Sequence, residues 1–391
     1  MSVIHQGFAA QRQLRWAKFF YMTREPCRLS FFVCEKCMQL PGLIDPHVHM
    51  REPGATHKED WGSGTSAALA GGFTLVLAMP NTQPPVTDRD SFSIALRAAR
   101  HKARCDYAQY LGAGPDNVEV LPKLALRSAG LKMYLDQTYG PLRLDDMMLW
   151  MAHFAQWPRQ MPIVAHAEGR TLAAVILLAL LYDRPLHLAH VSRRDEILLI
   201  RAAKERGIRI TCEVAPHHLF LTHDDLPGSR GEVRPRLATA ADRDALWANL
   251  DIIDCFATDH APHTQAEKDS PNPPPGFPGL ETTLPLLLTA VNEGRLTTDD
   301  LLTRMVTNPQ RIFNLPEQPD TLIEVDMDDV WEIRAADTFT RCAWTPFEGW
   351  KVRGRVRKVT LRGREVFRDG KILAPAGYGK HIRDENRSLA I

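Results

Sequence analysis

Two histidines one residue apart are the strongest chemical signal in this chain. His47 and His49 end an apolar run that leads into Glu52-Pro53-Gly54, a sequence typical of a turn. Positions i and i+2 of a β-strand share a face, so two imidazoles at this spacing can bind one metal ion. An isolated His-x-His pair more commonly belongs to an ordinary strand than to a metal site. The rest of the chain therefore has to decide between these two explanations.

Four further polar residues lie within or at the end of short apolar runs: Lys132, His166, His190 and Asp259. Each alone has an ordinary explanation, such as a hydrogen-bonded core histidine or, for Asp259, the cap of a following helix. At matching strand ends they are better explained together, as one metal site. Imidazole and carboxylate ligands suit zinc, with manganese or cobalt as alternatives.

Lys132 needs a separate explanation, because an unpaired buried ammonium is costly and metal cations would repel it. Carboxylation by CO₂ would turn the amine into an anionic carbamate with two oxygens. Such a group could bridge two metal ions about 3.5–4 Å apart, the usual spacing in two-metal hydrolytic sites. Lys132 therefore favours a binuclear site.

Short apolar runs alternate with helical patterns between residues 42 and 259. The predicted strands are Gly42–His49, Phe73–Met79, Asp106–Gly112, Leu131–Asp136, Pro162–His166, Leu186–His190, Ile208–Glu213 and Asp254–Asp259. This alternation predicts an α/β fold, and the strand count predicts a (β/α)8 TIM-type barrel with its active site at the carboxyl ends of the strands. An open doubly wound sheet is the alternative, but it would normally carry a glycine-rich phosphate loop after the first strand.

The pattern predicts three regions. Residues 1–36 form an atypical N-terminal extension, residues 37–320 the metal-dependent barrel, and residues 321–391 a small accessory β module and tail. Basic residues such as Arg12, Arg15 and Lys18 alternate with apolar ones in the extension. A mitochondrial presequence is the alternative there.

Composition limits the classes of function. The chain has 391 residues, 44% hydrophobic and 24% charged, with a net charge of +1, which favours a soluble protein without a nucleic-acid or membrane partner. Seven cysteines, an odd number, argue against a disulfide framework and predict a cytoplasmic location. Cys34-x-x-Cys37 is interpreted as chance spacing, because no second such pair accompanies it.

On these residues the chain resembles the dihydroorotases of the amidohydrolase superfamily, including the dihydroorotase domain of the animal multifunctional pyrimidine-synthesis protein. The motifs concerned are Gly42–Gly54, Ala78–Thr82, Gly130–Leu135, Cys212–Leu219, Asp259–His263 and Pro275–Glu281. The resemblance implies reversible cyclisation of N-carbamoyl-L-aspartate to L-dihydroorotate in de novo pyrimidine (UMP) biosynthesis. It also implies a homodimer, with carbamoyl-phosphate synthetase and aspartate transcarbamoylase domains as partners.

The resemblance also implies roles for the metal-binding residues. One zinc ion would be held by His47, His49, carboxylated Lys132 and Asp259, and a second by the same carbamate with His166 and His190. A hydroxide bridging the two ions would attack the ring carbonyl, and Asp259 would act as general acid and base.

Substrate-binding roles follow in the same way. The resemblance assigns the substrate carboxylate to Arg51, Asn81 and His263, the ring to Arg234 and Gly276, and a mobile loop to Thr138 and Tyr139. A guanidinium beside the metal ligands can clamp a carboxylate with two hydrogen bonds. Similar allantoinases carry Asn at the Arg51 position, so this residue favours dihydroorotate.

The chain departs from the family at two places. Some relatives bind a third zinc through a Cys at the position of Ala189 and a Glu at that of Glu213, so Glu213 alone is a weak ligand set here. The family's loop carries Thr-Phe, where this chain has Thr138-Tyr139. Two alternatives to dihydroorotase stay open: an allantoinase or dihydropyrimidinase, and a catalytically inactive scaffold barrel.

Overall fold

The computed structural model describes residues 37–384. The extension predicted for residues 1–36, with Arg12, Arg15 and Lys18, lies outside the described residues, and so does Cys34 of the Cys34-x-x-Cys37 pair. Between residues 37 and 384, no helix combines the length and the apolar character needed to span a bilayer.

After a first strand that joins a separate sheet, β1 (Cys37–Pro41), nine short strands form a barrel wall in the described part of the chain. They are β2 (Leu43–Val48), β3 (Phe73–Ala78), β4 (Asp106–Gln109), β5 (Leu111–Gly112), β6 (Leu131–Tyr134), β7 (Ile163–His166), β8 (Leu186–Leu188), β9 (Ile210–Val214) and β10 (Cys255–Phe256). Hydrogen-bonded neighbours are parallel.

Only Tyr110 separates β4 from β5, so these two count as one of eight wall strands. A parallel backbone bridge joins Val48, at the end of β2, to His260, beyond the end of β10. That bridge closes the ring, and the prediction of a (β/α)8 barrel is confirmed.

Helices follow most of the wall strands, and several begin at residues that cap free N–H groups. Asp60, Asp88 and Thr239 each form a capping box. The helices are α1 (Trp61–Ala70), α2 (Arg89–Lys102), α3 (Met147–Gln156), α4 (Gly169–Leu181), α5 (Arg194–Glu205), α6 (Pro216–Phe220), α7 (Ala240–Ala248), α8 (Gln265–Lys268), α9 (Thr283–Asn292), α10 (Thr298–Leu302) and α11 (Asn308–Ile312).

The second sheet is antiparallel, in the order β1, β11 (Leu322–Glu332), β12 (Lys351–Leu361), β13 (Arg364–Arg368) and β14 (Lys371–Ile372). β12 continues through Lys358 without a break, and its pairing with β11 and β13 is shifted on either side of that residue. β1 pairs with β11, so residues 37–41 lie in this sheet and not in the barrel wall. The division into residues 37–320 and 321–391 otherwise stays a prediction.

Alternate positions of the wall strands face the barrel interior. Buried apolar residues fill part of this interior: Ile44, Leu75, Leu77, Tyr110, Val164 and Ala189, with Phe313 and Leu315. Their sequence neighbours Val76, Met133 and Leu188 belong to a separate core cluster that includes helix residues. Because side chains alternate along a strand, Lys132 shares the inward face with Tyr134, and the same alternation turns His166 inward.

Two carboxylates, the buried Glu59 and the partly buried Glu281, hold residues 338–340 against the barrel. Glu281, just before α9, accepts hydrogen bonds from the backbone N–H groups of Phe339 (2.9 Å) and Thr340 (3.2 Å). Glu59 accepts a hydrogen bond from the Thr340 hydroxyl and lies 3.3 Å from Nε2 of His260. Burial, with the charge of Glu59, raises the pKa of Glu281 to about 8.

Glu281 is therefore expected to make stability depend on pH. Because its pKa is higher in the folded state than its ordinary 4.5, its contribution is complete below pH 4.5 and is lost as the pH rises towards about 8. Over that window the free energy of unfolding should fall by up to about 1.4 kcal/mol per pH unit. Glu281→Gln should flatten this slope, measured as Tm or chemical denaturation between pH 5 and 8.5.

Glu317→Gln is the control, because Glu317 is exposed. Its stability curve should run parallel to that of the unmodified chain. If Glu281→Gln also ran parallel, Glu281 would not be the group that loses its proton in this range.

Candidate metal and substrate site

The barrel brings the six predicted metal ligands to one end. His47 and His49 lie at the end of β2, Lys132 on β6, His166 at the end of β7, His190 after β8 and Asp259 after β10. Ligand atoms of His47, His190 and Asp259 all lie within 4.8 Å of one another. His166 joins this group through its Nδ1, which is 2.9 Å from Nε2 of His190.

The two histidines of the His-x-His pair turn the same nitrogen towards Asp259. Nε2 of His47 and Nε2 of His49 each lie 3.2 Å from Oδ1 of Asp259. Their other ring nitrogens are engaged, His47 Nδ1 with Glu213 and His49 Nδ1 with Oδ1 of Asn81 at 2.6 Å. Burial is the first cause that lowers the pKa of both imidazoles, which favours their neutral form.

A neutral imidazole that donates from Nδ1 has only a lone pair on Nε2. Two such lone pairs therefore face a carboxylate oxygen, an arrangement that a bound cation would stabilise. Two further buried nitrogens of this cluster have no hydrogen-bond partner, Nζ of Lys132 and Nδ1 of His190. The donor set fits the metal that the fold family implies, with neutral imidazoles and a carboxylate around a buried amine.

Burial lowers the pKa of Lys132 to about 8, against the opposing influence of Glu213 and Asp259. The ring centre of Tyr134 lies 5.2 Å from Nζ of Lys132. Burial also raises the pKa of Asp259, although His47 and Lys132 act in the opposite direction. In this site the neutral forms of Lys132 and Asp259 are therefore more favourable than those of an exposed lysine and an exposed aspartate.

Glu213 lies behind two of the histidines that are predicted to bind metal, His47 and His190. Its carboxylate accepts hydrogen bonds from His47 Nδ1, from His187 Nε2 at 3.0 Å and from the backbone N–H of His190 at 3.3 Å. Burial alone would raise its pKa, but the electrostatic influence of the His47 ring and the hydrogen bonds from both imidazoles hold that pKa well below its ordinary value. That Glu213 alone is too weak a ligand set for a third zinc stays a prediction, and here the carboxylate orients a candidate ligand.

Asn81 links one candidate metal ligand, His49, to the loop over the site. Besides accepting from His49, it donates from Nδ2 to the backbone oxygen of Tyr139 at 3.0 Å. The sequence assigned it to the substrate carboxylate. In the structure both ends of its amide are already used, one by a candidate ligand and one by the loop.

Arg51 is buried at the rim of the same pocket. Its Nε donates to the backbone oxygen of Pro262 at 3.0 Å, and its Nη2 lies 3.0 Å from Nε2 of His263. Nη1 has no partner and stays available as a donor. Arg51, His190 and Asp259 have φ angles of 56°, 35° and 45°, the left-handed region that non-glycine residues seldom adopt.

Tyr139 covers this pocket. Its ring centre lies 4.9 Å from the Arg51 guanidinium and 4.9 Å from the His263 ring. Thr138 lines the pocket beside it, and Arg234 and Gly276 also contribute to the wall. Gly276 has a φ of 142°, and a Cβ there would lie 2.4 Å from the backbone oxygen of Ala261, so only glycine fits. All seven predicted substrate-binding residues except His263 line this pocket, and His263 contacts Arg51 at its edge.

Lys58 is a buried residue behind the pocket wall that the sequence did not reveal. Its buried ammonium lies 3.0 Å from His263 Nδ1, 3.0 Å from Glu267 Oε1 and 3.3 Å from the Tyr139 hydroxyl. It stands in His57-Lys58-Glu59-Asp60, a charged run that is typical of an exposed turn. Burial, with Arg51 and Lys58 nearby, keeps the pKa of His263 well below its ordinary value.

Known proteins resemble this chain over most of its described length. The family model described as Dihydro-orotase-like matches residues 37–174. The chain is 58% identical over 351 residues to the Multifunctional protein CAD of Squalus acanthias, which covers 89% of this chain but only 16% of that protein's length. It is 37% identical over 368 residues to a dihydroorotase of Pyrococcus furiosus, which covers 88% of this chain and 86% of the relative.

A solved structure shares the fold. The inactive dihydroorotase-like domain of a CAD-like multifunctional protein from Chaetomium thermophilum has a TM-score of 0.78 and 30% identity, covering 88% of this chain and 99% of that one. Because the identity to the Pyrococcus furiosus protein spans most of both sequences, this chain belongs to the dihydroorotase family of the amidohydrolase superfamily of cyclic amidohydrolases.

Proposed function

We propose that this chain is a zinc-dependent dihydroorotase that interconverts N-carbamoyl-L-aspartate and L-dihydroorotate in de novo pyrimidine biosynthesis. The observation that supports this most directly is the position of Arg51. It is buried two residues beyond His49, with a free Nη1 donor, so one pocket combines a metal-binding cluster with a carboxylate partner. Dihydroorotate has both groups that such a pocket requires, a ring amide and a carboxylate.

Two zinc ions would be held at this site. We assign His47, His49, Asp259 and carboxylated Lys132 to the first, and His166, His190 and the same carbamate to the second. When bound, the metal pair supplies Lewis-acid polarisation of the carbonyl and lowers the pKa of water. The carbamate proposal is supported by the unpaired, buried Lys132 amine, because only the neutral amine reacts with CO₂.

Arg51 would bind the substrate carboxylate with its free Nη1, next to the neutral imidazole of His263. The neighbouring ammonium of Lys58 adds positive charge on the same side of the pocket. Arg234 and Gly276 would lie along the pyrimidine ring. Closure of the loop at Thr138 and Tyr139 would exclude water, which strengthens these charged hydrogen bonds.

Asp259 would move the proton. In ring opening, its carboxylate takes the proton released as water adds to the amide carbonyl and delivers it to the departing ring nitrogen. In the biosynthetic direction it accepts the proton of the attacking ureido nitrogen, and water is released. Burial raises the pKa of Asp259, which suits a group that must both accept and return a proton.

The wider setting is also a proposal. Squalus acanthias CAD is named a multifunctional protein, and this chain matches 16% of it. This supports partnership with carbamoyl-phosphate synthetase and aspartate transcarbamoylase domains, and the proposed homodimer rests on the family resemblance alone.

An inactive scaffold is the second candidate, because the Chaetomium thermophilum domain is named inactive. Fold alone therefore does not decide activity. All six proposed ligand positions are occupied by suitable residues in this chain, and the pocket keeps its free arginine donor, which favours the enzyme.

The proposal is tested by counting zinc and assaying cyclisation of N-carbamoyl-L-aspartate. We expect two zinc ions per chain and turnover in both directions. Lys132→Ala should reduce the zinc content to one ion or fewer and abolish turnover, because the bridging ligand is lost. Reconstitution of metal-free protein should be faster with added bicarbonate.

Lys123→Ala is the control, because Lys123 is exposed, and its zinc content and activity should be unchanged. Full zinc and activity in Lys132→Ala would contradict the carbamate. A well-folded, zinc-loaded chain without turnover would instead support the scaffold.

Arg51→Asn should separate dihydroorotase from its relatives. Loss of a buried, charge-assisted clamp is expected to lower kcat/KM for dihydroorotate by about 10²–10³-fold, equivalent to about 3–4 kcal/mol. Hydrolysis of dihydrouracil, a ring without a carboxylate, should change little from its basal rate. Equal losses on both substrates would show that Arg51 supports the pocket and does not recognise the carboxylate.

A further inference from the structure

The barrel interior contains polar side chains that the proposed mechanism does not use. On β8 and β9, inward positions carry His187, Thr211 and Glu213, in contrast to the apolar residues at most other inward positions. Sequence reasoning overlooked His187, although it stands between Leu186 and Leu188, where alternation turns it to the face opposite those core residues. It is 1% exposed, so burying its imidazole needs compensation.

That compensation is a chain of hydrogen bonds. Nδ1 of His187 lies 2.8 Å from the Thr211 hydroxyl, and its Nε2 lies 3.0 Å from Oε2 of Glu213. A carboxylate only accepts, so Nε2 carries the proton and the Thr211 hydroxyl donates to Nδ1. The other oxygen of Glu213 accepts from His47 Nδ1. The order is thus Thr211, His187, Glu213 and His47, which we call the interior relay.

The relay determines which nitrogen of His47 carries its proton. Because Nδ1 donates to Glu213, the lone pair of His47 is on Nε2, the atom that faces Asp259. Metal-binding histidines commonly depend on such a partner for ring orientation and basicity. Glu213 can accept from His47 in a fixed direction only if its second carboxylate oxygen is also hydrogen-bonded. His187 is the side chain that makes this second hydrogen bond.

We propose that His187 is a positioning residue for the metal centre, acting through Glu213 on His47. This inference rests on the proposed function, since it takes His47 to be a metal ligand. His187 touches neither metal nor substrate. Its ring packs against Phe313, with 5.0 Å between ring centres, which fixes its direction.

A cavity allows a direct chemical test. Among the described residues, His187 and Thr211 border a cavity of about 720 Å³ near the amino ends of β7, β8 and β9, bounded elsewhere by Met161, Pro185 and Ile312. Removing the His187 side chain would join its space to this cavity. Free imidazole, which has the missing donor and acceptor, could then enter from the side opposite the active site.

The experiment measures zinc affinity by competition with a chelator, which does not require activity. His187→Leu keeps an apolar group of similar size without hydrogen-bonding atoms, and we expect zinc affinity to fall about 10- to 100-fold. His187→Gln retains an N–H donor and should recover most of the loss. His187→Ala should lose affinity too and regain it when imidazole is added.

Three further variants serve as controls. His153→Leu removes another buried histidine, bonded to the backbone oxygen of Gly114 at 2.9 Å, and should leave zinc affinity unchanged. Glu213→Ala should lose affinity and not respond to imidazole. If His187 variants fold poorly, Thr211→Val tests the relay instead, with a smaller loss in the same direction.

Unchanged zinc affinity in both His187→Leu and Thr211→Val would overturn the inference. So would a loss of affinity that His187→Gln and imidazole both fail to reverse, because that pattern indicates general disruption. Failure of the proposed function can be distinguished from failure of this inference. In that case the unmodified chain would bind zinc without turning over dihydroorotate. The zinc affinities of the His187 and Thr211 variants would still measure the effect of the relay.

Discussion

Burial of polar and charged side chains at one end of the barrel is the constraint on which the rest of this structure depends. An imidazole, a carboxylate or an amine removed from water is costly unless it is paired. Most of the site consists of such pairs, including His49 with Asn81 and His47 with Glu213. The pairing stops at the Lys132 amine and between the histidine lone pairs and Asp259, and these are the groups that a bound cation would engage.

The same constraint explains the unusual backbone around the site. Arg51, His190 and Asp259 all have positive φ, a conformation that costs a non-glycine residue free energy. Each lies just beyond a wall strand, where the chain must turn while keeping its side chain in the pocket. Hydrogen bonds within the barrel wall, and the one that Pro262 accepts from Arg51, hold these turns in place. The stable wall therefore supports a strained backbone at its rim.

Two buried side chains connect residues of the candidate site to the loop that covers it. Asn81 bonds both to His49 and to the Tyr139 backbone, and Lys58 lies within reach of both His263 and the Tyr139 hydroxyl. Loop position and ligand orientation are therefore coupled by direct contacts. A phenylalanine, as the family loop carries, would lack the hydroxyl that Lys58 reaches here.

Much of this protein could be read from its sequence, because the relevant signals are local. Alternating apolar runs predicted the eight wall strands, and residues at their ends, such as His47 and His190, were recognisable by type and spacing. Lys58 could not be recognised, since its neighbours are charged and its burial depends on Glu267 and Tyr139, which are distant in sequence. β1 was missed for a similar reason: only pairing with β11 takes residues 37–41 out of the barrel wall.

By itself the sequence determined which groups are available: neutralisable imidazoles, one lysine among apolar neighbours, and an arginine two residues past a histidine pair. Only the tertiary structure decided how those groups are used. Asn81 became a partner of His49, Glu213 a partner of His47, and His187 the support behind them. The physical reason is that a hydrogen bond depends on distance and direction between residues far apart in the chain, which closure of the barrel alone establishes.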